Sequence, residues 1–298
     1  MSETYRIHDV SSVEPEWMEQ MGSKPKFWFR WAQDDQHLWL FKFARRGTGE
    51  DWAEKIAAEL AAALHIPTAT VELAEFHGRR GSISRSFVLR HEGWDLIHGN
   101  ELLAGCIHGY RREQMFHQSE HTLENIARVL REHFTQPHQF RAQLEQFAGY
   151  VVLDALIGNT DRHHQNWGIL RRTQGDGSLE EVLAPSFDHA SSLGRNAPPE
   201  EQKRRLQEGS VGTYARRGKG GIYVTTTDRR GANPLELVLR SASIMPDAVM
   251  PWPVRLSTLS SDRIERIIDA VPDTLMDSTA KRFAVALVEY TKTHLCAR

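Results

Sequence analysis

Two polar residues in residues 158–167 have the spacing needed to transfer a phosphoryl group to a hydroxyl. The segment reads Gly-Asn-Thr-Asp-Arg-His-His-Gln-Asn-Trp and places Asn166 five positions after Asp161. A carboxylate at the first position can orient and deprotonate an attacking hydroxyl, and an amide oxygen at the second can join the coordination shell of a magnesium ion. The pattern therefore predicts a catalytic loop for phosphoryl transfer.

A plainer interpretation of the same residues is a polar turn. Asp and Asn in loops are usually turn formers whose side chains bond to nearby backbone, and short patterns recur by chance. The surroundings favour the catalytic interpretation, because a helical stretch precedes the loop, a hairpin follows it, and a second carboxylate comes next. A protein-kinase catalytic loop separates its Asp and Asn by the same number of residues.

The second carboxylate is Asp188, in residues 184–190, which read Ala-Pro-Ser-Phe-Asp-His-Ala. It follows the predicted hairpin, where a rigid strand end can hold a metal-binding oxygen in place. Mg²⁺ is commonly bound through one or two carboxylates together with phosphate oxygens and water. Asn166 and Asp188 are therefore the predicted metal ligands.

A lysine that could bind phosphate lies upstream in an aromatic-rich strand. Lys42 alternates with Phe41 and Phe43, which are expected on the opposite face, and Glu54 follows twelve residues later on a predicted helix. A strand lysine held by a helix glutamate directs its ammonium at the α- and β-phosphates in kinases. An exposed lysine on an edge strand is the plainer interpretation, and Glu59 is an alternative partner.

Residues 22–26, Gly-Ser-Lys-Pro-Lys, open the first strand of the predicted hairpin. The backbone N–H groups of a glycine-containing turn can face a phosphate, and Lys24 and Lys26 add positive charge. The segment lacks both the Walker A pattern and the three-glycine loop of ordinary protein kinases, so a plain turn is the alternative.

The elements that must position these residues begin with a small sheet and one helix in residues 1–90. The helix is predicted from an apolar repeat that opens near residues 49–51 and closes before Pro67: Trp52, Ile56, Leu60 and Leu64. The strands are predicted from aromatic and β-branched runs on either side of turns: residues 26–31 and 38–43 around 33–36, then 68–73 and 82–89 around 77–81.

Residues 91–298 are predicted to form a larger and mainly helical part, after a connector near residues 90–100. Its predicted elements are helices over 124–134 and 140–158, a hairpin at 167–170 and 179–183, and helices capped at 261–262 and Asp277. The fold class is therefore α+β and bilobal, with a small β-rich N-lobe (1–90) and a larger mainly helical C-lobe (91–298). Together they predict one protein-kinase-like domain.

Residues 196–233 are rich in glycine, proline and arginine and are predicted to be the most mobile segment. The basic clusters at residues 203–205 and 216–219 could bind an acidic substrate. Such runs are more often solvated loop charge.

Composition excludes several classes of protein. The chain has 298 residues, with 37 Lys and Arg against 39 Asp and Glu, and a formal net charge of −2. This balance gives no overall attraction to nucleic acid or an anionic membrane, so direct nucleic-acid binding is not expected. No apolar stretch is long enough to span a bilayer, and two cysteines cannot build a disulfide framework. A cytoplasmic protein is expected, although secretion without a signal peptide stays open.

The 15 histidines raise the question of a zinc site. His117 and His121 have the spacing of a helical zinc pair, but Gln118 stands where the glutamate of a His-Glu-x-x-His motif belongs. With no cysteine nearby to complete the ligand set, no zinc site is predicted.

Five segments together resemble the HipA-like serine/threonine kinases, a lineage related in fold to the phosphatidylinositol kinases. They are residues 22–26, 40–42, 52–56, 158–163 and 184–188, in the order found in the family. The Asn-Thr-Asp-Arg-His core of the fourth segment is the specific signature. The full-length bacterial toxin kinases carry an additional N-terminal subdomain, so the chain resembles the short stand-alone, CtkA-like members. A toxin–antitoxin role does not follow automatically.

The resemblance implies a role for each motif. Asp161 is the expected catalytic base, and Arg162 and His163 would shape the catalytic loop. The other expected site residues are the ATP-binding residues Gly22, Ser23, Lys24, Lys42 and Glu54, and the ligands of Mg²⁺ or Mn²⁺, Asn166 and Asp188. Ser23 is also where family members can autophosphorylate, which silences the enzyme; a turn-forming serine is the alternative.

The predicted function is ATP- and Mg²⁺-dependent transfer of the γ-phosphate to a Ser or Thr hydroxyl of a protein substrate. An antitoxin-like regulator is a further partner that the resemblance implies. Two alternatives share the ATP site: a lipid or small-molecule kinase of the phosphatidylinositol-kinase type, and a catalytically silent nucleotide-binding regulator.

Overall fold

The structure is a computed structural model that describes residues 4–18 and 25–297. The predicted phosphate-loop residues Gly22, Ser23 and Lys24 lie outside the described residues. The strands form two sheets, and most helices lie in the second half of the chain. The α+β fold class, with a β-rich N-terminal part and a mainly helical C-terminal part, is confirmed.

A six-stranded sheet forms the N-terminal part, in the order β1–β5–β6–β4–β3–β2. Its strands are β1 (Ile7–Asp9), β2 (Trp17–Met18), β3 (Lys26–Trp31), β4 (Asp34–Phe43), β5 (Val71–Phe76) and β6 (Arg79–Arg85). The predicted β3–β4 hairpin is confirmed, but its turn lies at residues 32–33, because β4 already begins at Asp34. The β5–β6 turn is likewise tighter than predicted, at His77 and Gly78.

Side chains alternate between two environments along β4. Phe41 pairs with Phe27 of β3 and Ile83 of β6, and the three side chains are buried in an aromatic-rich core on one face of the sheet. Lys42 therefore faces the opposite side, since successive side chains of a strand point to opposite faces.

Helix α1 (Glu50–Ala63) covers the face of the sheet toward which Lys42 points. Its side chains Ile56 and Leu60 are fully buried in one apolar cluster with Leu73 of β5 and with Phe147 and Ile268 of the C-terminal helices. The helix therefore belongs to the main core of the molecule as well as to the sheet.

The C-terminal part contains ten helices among the described residues. They are α2 (Gly99–Cys106), α3 (Leu123–His133), α4 (Pro137–Ile157), α5 (Pro199–Gln207), α6 (Val211–Arg217), α7 (Pro234–Ile244), α8 (Pro246–Val249), α9 (Trp252–Ser257), α10 (Ser261–Asp269) and α11 (Ser278–Cys296). The second half of α4 is buried, and Gly158 ends it with φ of 64°. The predicted cap of α11 by Asp277 is confirmed, whereas α10 is capped by Ser260 rather than by residues 261–262.

The predicted connector at residues 90–100 contains a strand instead. Strand β7 (Asp95–His98) pairs with β8 (Gly168–Thr173), which pairs with β9 (Leu179–Leu183). The β8–β9 hairpin is confirmed, and β7 completes a three-stranded sheet beside the loop that carries Asp161.

Residues 196–233, expected to be a mobile loop, include two helices. In α5 and α6 the side chains of Arg205, Val211 and Ala215 are buried, and both helices contact α11. Packing on α11 gives these residues a partner that their polar composition did not indicate.

None of the helices in the described part of the chain combines the length and apolar character needed to cross a bilayer.

Candidate active site

A cleft of about 410 Å³ lies between the six-stranded sheet and the loops of the helical part. This volume falls in the range of roughly 300–1,000 Å³ that small-molecule sites usually have. Six of the predicted site residues line it together: Lys42, Glu54, Asp161, His163, Asn166 and Asp188. Lys26, at the start of β3, also faces the cleft.

Lys42 connects the sheet to the helical part through two carboxylates. Its Nζ donates to Glu54 Oε1 at 2.9 Å and to Asp188 Oδ1 at 3.1 Å. Burial by itself would lower the pKa of Lys42, but the neighbouring Asp188 and Glu54 carboxylates outweigh it and raise the pKa above its ordinary range. The lysine therefore stays charged in the cleft. Glu59, the alternative partner, binds Lys55 instead.

Asp188 has a backbone conformation that is unusual for its residue type. Its φ is 60°, in the left-handed region that costs a non-glycine residue on the order of 1 kcal/mol. The next residue, His189, is fully buried and its ring Nε2 bonds to Ser186 Oγ at 2.7 Å. Burial holds the pKa of His189 well below its usual value, so the ring is neutral. The left-handed backbone conformation of Asp188 is a local strain, and such strain is typical of residues held in place for function.

Asp161 is held in its loop by backbone and side-chain hydrogen bonds. Its backbone N–H donates to Asn159 Oδ1 at 3.1 Å, and Asn159 Nδ2 donates to Asp154 Oδ1 of α4 at 2.7 Å. The hydroxyl of Ser191 donates to Asp161 Oδ2 at 3.2 Å. The carboxylate thus faces the cleft from a loop anchored to helix α4, whose second half is buried.

Arg162 lies beneath the cleft, and not in its wall. Its guanidinium is buried and donates to both Asp154 oxygens, to the Asn166 carbonyl at 2.7 Å and to Ser186 Oγ at 2.8 Å. It therefore ties together helix α4, the loop that carries Asp161, and the segment that leads to Asp188. Arg162 therefore holds these three segments in position, and it is not among the side chains that line the cleft.

Asn166 and His163 close the same loop. The Asn166 Nδ2 donates to the Asp161 carbonyl at 2.7 Å, which fixes the orientation of the amide. His163 Nδ1 accepts from the Gln165 N–H at 3.2 Å, and burial lowers the pKa of His163 although Asp161 and Asp188 act in the opposite direction.

Two further polar residues that line the cleft, Ser191 and Arg195, were not predicted from the sequence. Arg195 donates to Ser191 Oγ at 2.9 Å and forms a salt bridge with the buried Glu50 at the start of α1. Its side chain is only 8% exposed. Neither Ser191 nor Arg195 belongs to a recognisable motif, so no local signal would have found them.

One part of the cleft is apolar. It is lined by Leu40, Ala69, Phe87, Val88, Leu96 and Phe187. The rings of Phe87 and Phe187 lie 5.5 Å apart between centroids. The cleft therefore offers an apolar slot for a flat ring next to a polar end that carries Lys42, Asp161 and Asp188.

The residues present suit a divalent cation that shares its shell with phosphate. Asn166 and Asp188 supply an amide and a carboxylate oxygen in one cleft, the donor types that Mg²⁺ prefers. Among the residues that the structure describes, no three His, Cys, Asp or Glu side chains lie close enough to bind a metal by themselves. His121, considered above for zinc, is buried and bonds to the Gly221 carbonyl and to the Trp167 ring.

Comparison with known structures identifies the fold. The chain superposes on the crystal structure of the Helicobacter pylori proinflammatory kinase CtkA with a TM-score of 0.78, at 18% identity, over 98% of this chain and 96% of that one. It also superposes on HipA in the Shewanella oneidensis complex of HipA, HipB and operator DNA, with a TM-score of 0.57 and 13% identity, over 95% of this chain and 65% of that one.

Sequence comparison agrees with the fold. A stretch of 62 residues is 40% identical to the serine/threonine-protein kinase CtkA of H. pylori; it spans 21% of this chain and only 17% of that relative. The family described as HipA-like C-terminal domain matches residues 18–250, which is well over half of the chain and includes all the cleft residues named above. The chain therefore belongs to the family of HipA-like C-terminal domains.

Proposed function

We propose that this chain is an ATP- and magnesium-dependent serine/threonine protein kinase. The observation that carries the proposal is the position of Lys42 Nζ, hydrogen-bonded to both Glu54 and Asp188 in the cleft that also contains Asp161 and Asn166. Phosphoryl transfer needs a fixed cation for the phosphates, a carboxylate for the acceptor hydroxyl and two oxygen ligands for a metal ion.

Each residue has a distinct role in this proposal. The Asp161 carboxylate orients the Ser or Thr hydroxyl and accepts its proton while the acceptor oxygen bonds to the γ-phosphorus, and the bond from phosphorus to the bridging oxygen of ADP breaks. Lys42 supplies a permanent positive charge to the α- and β-phosphates. Asn166 and Asp188 would hold Mg²⁺, which neutralises charge on the phosphate oxygens.

The apolar slot supports a nucleotide as the phosphoryl donor. Phe87 and Phe187 line the slot, and Lys42 lies at the polar end of the same cleft. A purine ring in the slot would leave its phosphates near the lysine. Positioning and electrostatics then supply most of the rate enhancement, as is general for this chemistry.

The experiment that tests the proposal is transfer of ³²P from the γ-position of ATP to protein substrates in a cell extract and to the chain itself. Wild type is compared with Asp161→Ala and Asp188→Ala, both expected to lose transfer by at least about a hundredfold. Asp176→Ala, in the exposed β8–β9 turn, is the matched control and should keep wild-type activity.

Three outcomes would contradict the proposal. Equal transfer by all four proteins would remove the site assignment. Transfer to phosphatidylinositol in vesicles, but not to protein, would favour the lipid-kinase alternative. ATP binding with Mg²⁺ or Mn²⁺ but no transfer to any acceptor would favour a silent regulator.

Ser23 is proposed as an autophosphorylation site on the resemblance to the family. Mass spectrometry of the same reactions locates the phosphate. The assignment is supported if wild type carries the label at Ser23 and the Asp161→Ala protein carries no label. It is contradicted if the Ser23→Ala protein is labelled as strongly as wild type.

A further inference from the structure

The loop between α6 and α7, residues 218–233, packs directly against the catalytic loop. A Cβ on Gly221 would lie only 2.7 Å from the Arg162 carbonyl oxygen, and a Cβ on Gly218 would lie 3.0 Å from Thr160 Cγ2. The approach at Gly221 requires glycine, since real Cβ atoms essentially never come within 3.0 Å of another heavy atom, and the approach at Gly218 leaves little room for a side chain. Thr160 and Arg162 are the two neighbours of the proposed base, so the α6–α7 loop runs beside it.

Hydrogen bonds hold the α6–α7 loop in this position. The His121 Nδ1–H donates to the Gly221 carbonyl at 2.8 Å, and the Tyr223 N–H donates to the His121 carbonyl at 2.9 Å. At the end of the loop, Asn233 Nδ2 donates to the Gly218 carbonyl at 2.8 Å and its Oδ1 caps α7. The backbone of the loop is therefore attached to His121, which precedes α3, and to Asn233 at the start of α7.

The two halves of the loop touch each other. The Gly220 N–H donates to the Ala232 carbonyl at 2.7 Å, and a Cβ on Gly231 would overlap the Gly220 carbonyl oxygen. Lys219 and Arg230 are the chain neighbours of Gly220 and Gly231. The contact between the two halves therefore brings Lys219 and Arg230 close together.

Four cations of this region are exposed and have no partner in the described part of the chain. They are Arg217, Lys219, Arg229 and Arg230, none of which makes a side-chain hydrogen bond, salt bridge or ring contact there. The single carboxylate among them, Asp228, accepts from the Thr225 N–H. On nearby α5, by contrast, Arg204 and Arg205 are paired with glutamates.

We propose that these four residues, one at the end of α6 and three in the α6–α7 loop and together called the basic loop, bind an acidic segment of the protein substrate next to its Ser or Thr acceptor. The inference rests on the proposed kinase function and extends it to the class of substrate. Charge complementarity carries it: unpaired cations on a fixed backbone beside the proposed base attract carboxylates without breaking internal salt bridges. A nucleic acid fits less well, because the chain has a net charge of −2 and these cations are confined to the end of α6 and the loop that follows it.

The test measures binding without ATP, so it does not depend on the chemistry. The probes are a fluorescein-labelled peptide with one serine flanked by glutamates and a counterpart with glutamine at every glutamate. Fluorescence anisotropy should show tighter binding of the acidic peptide, weakened by added NaCl. The double variants R217Q/K219Q and R229Q/R230Q should each bind it at least about threefold more weakly, from the usual strength of exposed ion pairs.

The matched control is R240Q/R282Q, which removes two exposed arginines from α7 and α11. It should bind the acidic peptide as wild type does. In transfer assays with the same peptide, the loop variants should raise its KM and leave kcat and the KM for ATP unchanged.

The proposal would be overturned if wild type bound both peptides equally well. It would also be overturned if the loop variants bound the acidic peptide as tightly as wild type does. Tighter binding of a labelled oligothymidylate than of the acidic peptide would replace it with a nucleic-acid surface. If the acidic peptide binds through the loop but no phosphate is transferred to any acceptor, the proposed function fails while the binding surface stands.

Discussion

The guanidinium of Arg162 forms a two-point salt bridge with the carboxylate of Asp154, with Nε to Oδ2 at 2.7 Å and Nη2 to Oδ1 at 2.9 Å. Both side chains are at most 5% exposed. The pair joins the loop that carries Asp161 to the buried helix α4, so the position of the proposed base depends on a charge pair that never reaches the substrate.

Removal of one partner should therefore cost stability as well as activity. Arg162→Ala leaves the Asp154 carboxylate buried without its cation and should lower the free energy of unfolding by about 3–5 kcal/mol. Urea denaturation measures this loss. The control is Arg128→Ala, which breaks an exposed salt bridge with Glu132 on α3 and should cost less than about 1 kcal/mol. Equal losses in the two variants would contradict the structural role of Arg162.

The partner of Lys42 can be tested with two glutamates of the same helix. Glu54→Gln removes a carboxylate that accepts from Lys42 Nζ, and the loss of such a charged hydrogen bond, about 1.5–3 kcal/mol, should lower kcat/KM for ATP roughly tenfold to a hundredfold. Glu59→Gln removes one of the two carboxylate partners of Lys55, which also pairs with Glu72, and should leave kcat/KM near the wild-type value. The reverse order of effects would assign the lysine to Glu59.

The hydroxyl of Ser191 is expected to orient the proposed base. Ser191→Ala removes its hydrogen bond to Asp161 Oδ2 and should lower kcat roughly tenfold, with little change in the KM for ATP. Ser191→Thr keeps a hydroxyl and should restore most of the rate, whereas Ser178→Ala, in an exposed turn, should have no effect. A Thr variant as slow as the Ala variant would argue against the hydrogen bond.

Three buried histidines should make the protein less stable in mild acid. Burial lowers the pKa of His121 to about 3 and that of His164 to about 4, and it holds the pKa of His189 well below its usual value. Below the unfolded-state pKa near 6.5, the unfolded chain binds protons that the folded chain does not, so stability falls as the pH falls.

Each of these histidines should add up to about 1.4 kcal/mol per pH unit to that fall between pH 6.5 and 5. The free energy of unfolding measured by urea denaturation across this range gives the slope. His164→Gln should reduce the slope by the contribution of about one proton, which is about 1.4 kcal/mol per pH unit, whatever its effect on the free energy of unfolding at a single pH. His138→Gln, which changes an exposed histidine on α4, should leave it unchanged; an unaltered slope in the His164 variant would contradict the assignment.

The parts of the cleft that the sequence predicted are those with a local pattern. Alternation in β4 places Phe41 in the aromatic core and Lys42 in the cleft, and an apolar helix places Asp161 just beyond its C-terminal end. In such cases the residues that decide where a side chain points are close to it in the chain, so the periodicity of the sequence is sufficient to predict its position.

The parts that were missed depend on contacts distant in sequence. Arg195 binds Glu50, 145 positions away, and Ser191 binds Asp161, 30 positions away. Strand β7 is four residues long with no apolar alternation, and it exists because β8 offers it a pairing edge. No local pattern carries such information.

Helix α1 has a consequence for how the chain could be controlled. Ile56 and Leu60 are buried with Phe147 and Ile268, so rotating Glu54 away from Lys42 would open the core shared with the C-terminal helices. Losing one such side chain from a core costs about 2–5 kcal/mol, so exposing both would cost more than the roughly 1–3 kcal/mol that a regulatory ligand usually supplies. We therefore expect a permanently assembled lysine–glutamate pair, with on–off control exerted at the mouth of the cleft and not by a swinging helix.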